Sequence, residues 1–68
     1  MIRFEVVIHN QQVRDKVREG EHHKALSDDW SDSHYIEISA KNEEDALVRA
    51  RNKYPSEGGF VIEGVSEV

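Results

Sequence analysis

The run IRFEVVIH at residues 2–9 constrains this chain more than any other stretch. Ile2, Phe4, Val6 and Ile8 alternate with Arg3, Glu5, Val7 and His9. An apolar period of two, built from β-branched and aromatic residues, is the pattern of a strand with one buried face. Nothing else in the chain is as apolar, so this strand is expected at the centre of any sheet that forms.

Two further segments have strand character. HYIEISA, residues 34–40, puts Ile36, Ile38 and Ala40 on one face and Tyr35, Glu37 and Ser39 on the other. FVIEGVSEV, residues 60–68, reads as a third strand, in which Gly64 signals a bulge or a close backbone approach. Between them, NEEDALVRARNKY at 42–54 is the clearest helix. Asn42 can cap its first turn. Glu43, Glu44 and Asp45 sit at the positive end of the helix dipole, and Arg49, Arg51 and Lys53 lie toward the negative end. Ala46, Leu47, Ala50 and Tyr54 form a narrow apolar stripe, and Pro55 prevents continuation into the SEGG turn.

The order strand, long connection, strand, helix, strand limits the topology. A crossover through a helix makes strands two and three parallel to each other, so both run antiparallel to a central first strand. The prediction is a single α+β domain over residues 1–68, β-β-α-β, with a three-stranded mainly antiparallel sheet in spatial order 2-1-3 and one helix packed on one face. The connection, residues 10–33, is polar and long, which tends to mark a functional or mobile segment. Val13 and Val17 lie four apart and Gly20 follows, so a short helix over about 11–19 fits there. With no further apolar stripe it is expected to be poorly anchored; the alternative is a pair of extended hairpin arms.

One helix covers one face of such a sheet. The other face is expected to carry Arg3, Glu5, Val7, His9, Tyr35, Glu37, Val61, Glu63 and, by continued alternation, Val65. A chain of 68 residues without cysteine has no disulfide or thiolate metal site to support a small core. It therefore gains from association. Val7, Tyr35 and Val61 are the apolar members of the open face, and Tyr35 is the expected anchor, because amphipathic aromatics often centre interfaces.

The formal charge of −5 argues against general affinity for phosphate backbones and suits a basic partner. No apolar run reaches membrane-spanning length, and MIRFEVVIHN lacks the layout of a secretory signal, so the expectation is a cytoplasmic protein.

The segment GEHHKALSDDWSDSHY, residues 20–35, concentrates histidine and aspartate around the only tryptophan. His22, His23 and His34 are metal ligands in type, but their spacing matches no ordered motif. The calcium-loop pattern also breaks. Counted from Asp28, Trp30 falls where an acidic ligand belongs; counted from Asp29, His34 replaces the glycine and Ala40 the closing glutamate. Trp30 either folds back with Leu26 to cap the core, the favoured role, or is presented to a partner among Asp28, Asp29 and Asp32. Ser27, Ser31 and Ser33 lie near His34 without a nucleophile elbow, and the GG at 58–59 precedes a strand rather than a helix, so no phosphate cradle forms. Neither catalytic residues nor a cofactor are expected.

The stretch ISAKNEEDALVRARNKYPSEGGFVIEGV has an arrangement common to many small accessory subunits and phage-encoded proteins, and it specifies no family. The functional expectation is a non-catalytic protein-binding module: a regulator, inhibitor or accessory subunit. It would dock through Asp28, Asp29, Trp30, Asp32 and Tyr35, as a monomer or as a homodimer through the open sheet face. The first alternative is a nucleic-acid-associated protein using Lys41, Arg49, Arg51 and Lys53. The second is a metal-binding protein using His22, His23 and His34.

Overall fold

A computed structural model describes the whole chain, Met1–Val68. Strand β1 spans Ile2–Asn10 and runs directly into helix α1, Gln11–Arg18. A polar connection carries a short 3-10 helix at Asp28–Ser31 and leads into β2, His34–Ala40. Helix α2 covers Glu43–Lys53, a 3-10 turn covers Ser56–Gly58, and β3 covers Phe60–Glu67. The sheet order is β2-β1-β3, with both outer strands antiparallel to β1. No helix is long and apolar enough to cross a membrane.

The register follows from the alternation in β1. Phe4, Val6 and Ile8 oppose Ile38, Ile36 and His34 on β2, so the apolar sets of the two strands share one face. Helix α2 packs there through Ala46 and Ala50, both fully buried. Small side chains at these positions let the helix approach Phe4, Val6, Ile8 and Ala40 closely. The helix begins as its sequence dictates. Asn42 accepts the Asp45 N–H at 2.8 Å, and the Asp45 carboxylate reaches back to the Lys41 N–H at 3.0 Å and to Arg49 at 3.0 Å.

On the β3 side the register shifts by one residue. Val7 opposes Gly64, whereas Ile8 opposes Ile62, so Glu63 is the extra residue of a β-bulge. The bulge resets the alternation. Val65 therefore opposes Val6 and packs against the core, and the expectation that it lies on the open face is corrected.

The short helix in the long connection is present, and it is better anchored than its sparse apolar pattern implied. Val13 is fully buried, while Val17 remains exposed. Asn10, also fully buried, accepts the Val13 N–H at 3.1 Å and donates to the Gly58 carbonyl at 3.0 Å. One amide thus caps α1 and ties it to the turn before β3. The Arg14 Nε donates to the Ser31 carbonyl at 2.9 Å, fastening α1 to the Asp28–Ser31 turn. At its other end α1 closes in a Schellman turn. Gly20 adopts φ +77°, its N–H reaches the Val17 carbonyl at 3.0 Å, and the Glu21 N–H reaches the Lys16 carbonyl at 2.8 Å.

Candidate protein-binding face

The sheet face opposite α2 is uncovered along most of its length. Cross-strand register arranges it in rows. Tyr35, Val7 and Gly64 form one row; Glu37, Glu5 and Ser66 form the next. Tyr35 is 67% exposed and Val61, farther along β3, is 40% exposed. Gly64 has neither a positive φ nor a neighbour within 4 Å of where a Cβ would stand. Nothing in the fold of this chain demands glycine there. Its bare backbone leaves a notch beside Val7, of the kind that admits close approach of another chain.

Charge on this face is unevenly matched. Glu5 and Glu37 are direct cross-strand partners. Arg3 pairs with Glu37 at 3.5 Å, an exposed contact, and Glu5 has no ion-pair partner. Like charges placed opposite one another weaken a strand pair. A cation from outside would relieve this one.

At the α1 end the same face closes over a polar cluster. His9 is only 6% exposed. Its Nδ1 lies 2.9 Å from a Glu63 carboxylate oxygen that also accepts the Ser33 hydroxyl at 2.6 Å. Its Nε2 lies 3.1 Å from Gln11 Oε1, and that amide is oriented by its own donation to Asp15 at 2.9 Å. Both ring nitrogens thus lie within hydrogen-bond distance of side-chain oxygens. The Ser33 hydroxyl, then His9, hold the Glu63 carboxyl below the usual range. The serine points at the carboxylate rather than at the imidazole, so the trio does not form a nucleophile–base pair. Alternation placed His9 and Glu63 on one face but did not reveal their contact, because the strand register pairs His9 with Val61 and Ser33 lies outside the strands.

The acidic loop and the open face do not merge through Trp30. Asp28, Asp29 and Asp32 are exposed at the Asp28–Ser31 turn. Asp28 accepts from the His22 ring at 2.8 Å, and Ser27 caps the turn through the Asp29 N–H at 3.2 Å. Trp30 turns inward. It stacks on His34 with centroids 4.1 Å apart and planes 12° from parallel, and it meets Phe60 edge-on at 5.1 Å and Tyr54 at 5.7 Å. It caps the end of the core that α2 leaves open, and Leu26 lies half-buried outside that turn.

The basic residues of the helix region are dispersed among local contacts. Arg49 is held by Asp45, Lys53 lies 5.8 Å from the Tyr54 ring centroid, and Arg51 borders a groove of about 210 Å³ with Tyr54, Ser56, Phe60 and Ile62. Lys41 contributes its backbone N–H to Asp45. The loop histidines are separated too. His22 faces Asp28, His23 faces Gln12, and His34 Nε2 donates to the Asp29 carbonyl beneath Trp30. No three His, Cys, Asp or Glu side chains converge as metal ligands.

No protein-family model, curated protein or solved structure matches this chain.

Proposed function

We propose that the protein is a non-catalytic binding module, a cytoplasmic regulator, inhibitor or accessory subunit, whose open sheet face docks on a basic segment of a partner protein. One observation carries the reading. The row Tyr35–Val7–Gly64 sets an exposed aromatic ring and bare backbone beside the opposed carboxylates of Glu5 and Glu37. An aromatic anchor next to unmatched negative charge suits an arginine or lysine, which can lie over the ring and reach the carboxylates. A small core supports the same reading, since only nine residues are buried and association adds apolar burial. Asp28, Asp29 and Asp32 add negative potential that would speed encounter with a basic partner.

The test is capture of partners from the source organism by the wild-type chain and by Gly64→Thr and Tyr35→Ser variants, both changed at exposed positions. A partner whose basic segment is cross-linked to the sheet face, and which both variants lose, supports the reading. Equal capture by wild type and variants refutes it.

A further inference from the structure

We propose that the groove between α1 and the segment following Gly20 is a binding site for a small anionic solute carrying a phosphate or carboxylate group. This inference is independent of the sheet face. The groove has a volume of about 330 Å³ and is lined by Gln12, Asp15 and Lys16 of α1 and by His23 and Lys24 of the connection. None of the lining residues is of apolar type, and the aliphatic stems of these long side chains supply most of the wall.

The charges in the groove are not matched within the protein. Ion pairs in this chain join Arg3 to Glu37, His9 to Glu63, Arg18 to Asp15, His22 to Asp28 and Arg49 to Asp45. Lys16 and Lys24 are in none of them. The one carboxylate on the wall, Asp15, is already engaged by the Gln11 amide at 2.9 Å and by Arg18 at 4.0 Å. Two lysines without an ion-pair partner therefore line one groove in a chain whose net charge is −5. An entering anion would meet both.

The neutral donor beside them is held in place from two sides. His23 Nδ1 accepts the backbone N–H groups of Ala25 at 3.0 Å and Leu26 at 3.1 Å. Its proton must then be on Nε2, which lies 3.1 Å from Gln12 Oε1. With its oxygen engaged, Gln12 keeps its –NH2 group without a protein partner at the wall of the groove. The stem of Gln12 lies against bare backbone. A Cβ on Gly59 would stand 2.6 Å from Gln12 Cγ and 2.9 Å from its Cδ, and Gly59 itself adopts φ +92°. The left-handed Gly59 thus seats Gln12, His23 orients it, and the segment after the Schellman turn at Gly20 brings Lys24 to the groove that α1 lines. Preorganised donors lower the ordering cost of binding. Within the adjacent histidines, His22 faces away to Asp28, and His23 is a positioning residue for the site.

The experiment is a two-dimensional NMR titration of the full chain with inorganic phosphate and, separately, with succinate, at constant ionic strength against a chloride reference. The expected result is saturable movement of the Gln12 side-chain NH2, Lys16 and Lys24 signals, with those of Val7 and Tyr35 unmoved. Lys16→Gln and Lys24→Gln should each weaken binding about tenfold, as loss of a charge-assisted contact implies, and Lys16→Arg should retain it. Saturation by phosphate alone identifies a phosphorylated solute; saturation by succinate alone identifies a carboxylate. Neither probe exceeding chloride, or titrations unchanged in a Lys16→Gln/Lys24→Gln double variant with a native spectrum, overturns the proposal.

Discussion

Glu5 and Glu37 stand directly opposite each other across β1 and β2, on the face of the sheet that no helix covers. Only Glu37 has a cation beside it, the exposed Arg3. Like charges so placed weaken a strand pair, and a cation brought from outside would offset the repulsion.

Replacing Glu5 with Gln should therefore separate stability from binding. Removal of the cross-strand repulsion is expected to raise stability by about 0.5 kcal/mol, while affinity for a basic partner segment falls. Urea unfolding at constant slope measures the first effect, and titration with an arginine-bearing peptide from a captured partner measures the second. A variant that is more stable and binds as tightly as wild type would detach the carboxylate pair from docking.

Trp30 gives a prediction about the fold. Its ring joins His34, Phe60 and Tyr54 and closes the end of the core beyond α2. Truncation to Ala should cost about 2–3 kcal/mol, below the range for a fully buried tryptophan because Trp30 is only half-buried. Trp30→Phe should recover much of that loss. Its fluorescence, free of other tryptophans, should shift to the red on unfolding. An Ala variant with unchanged thermal stability would mean that the ring does not cap the core in solution.

Asn10 predicts how α1 is tied to the sheet. Its side chain is fully buried, caps Val13 and holds the Gly58 carbonyl. Asn10→Ala removes a helix cap and leaves the part-buried Gly58 carbonyl without its donor, for a combined cost of about 2–3 kcal/mol. Amide hydrogen exchange should then accelerate throughout Gln11–Arg18 as well as at the 56–59 turn. Acceleration confined to the turn would show that α1 is anchored by Val13 and Arg14 alone.

The sheet, its order and α2 were legible because their signals are local and periodic. Alternation in β1 and β2, the Asn42 cap and Pro55 each act within a few residues. The open face was legible as far as Glu63, which lies beside His9; Glu63 is the bulge residue, and one inserted position exchanges the faces that follow, so Gly64 rather than Val65 continues the open face. Gly64 hinted at a bulge, but not at which residue would be extra. The anchoring of α1 was undervalued because the contacts that tie it down, Asn10 to the Gly58 carbonyl and Arg14 to the Ser31 carbonyl, join residues far apart in sequence. His22 and His23, adjacent in sequence, take different neighbours, Asp28 and Gln12. Nothing in a linear pattern could show that His23 lies against Gln12.

Glu63 carries the last prediction, a pH dependence. Hydrogen bonds from Ser33 and then His9 hold its carboxyl below the usual glutamate value of 4.5. A carboxyl depressed in the folded state binds fewer protons there than in the unfolded chain. Its contribution to stability is thus present above the usual glutamate range and is lost as the pH falls through the lowered folded value. Wild-type stability should decline on acidification below about pH 4.5, with Asp45, held low by the Lys41 N–H and Arg49, contributing in the same direction. Glu63→Gln should be less stable at pH 7 and should lose less on acidification, so the two profiles converge. Urea midpoints measured from pH 7 down to pH 3 provide the comparison. Parallel profiles at every pH would show that the Ser33–Glu63–His9 cluster does not hold the carboxylate in its charged form.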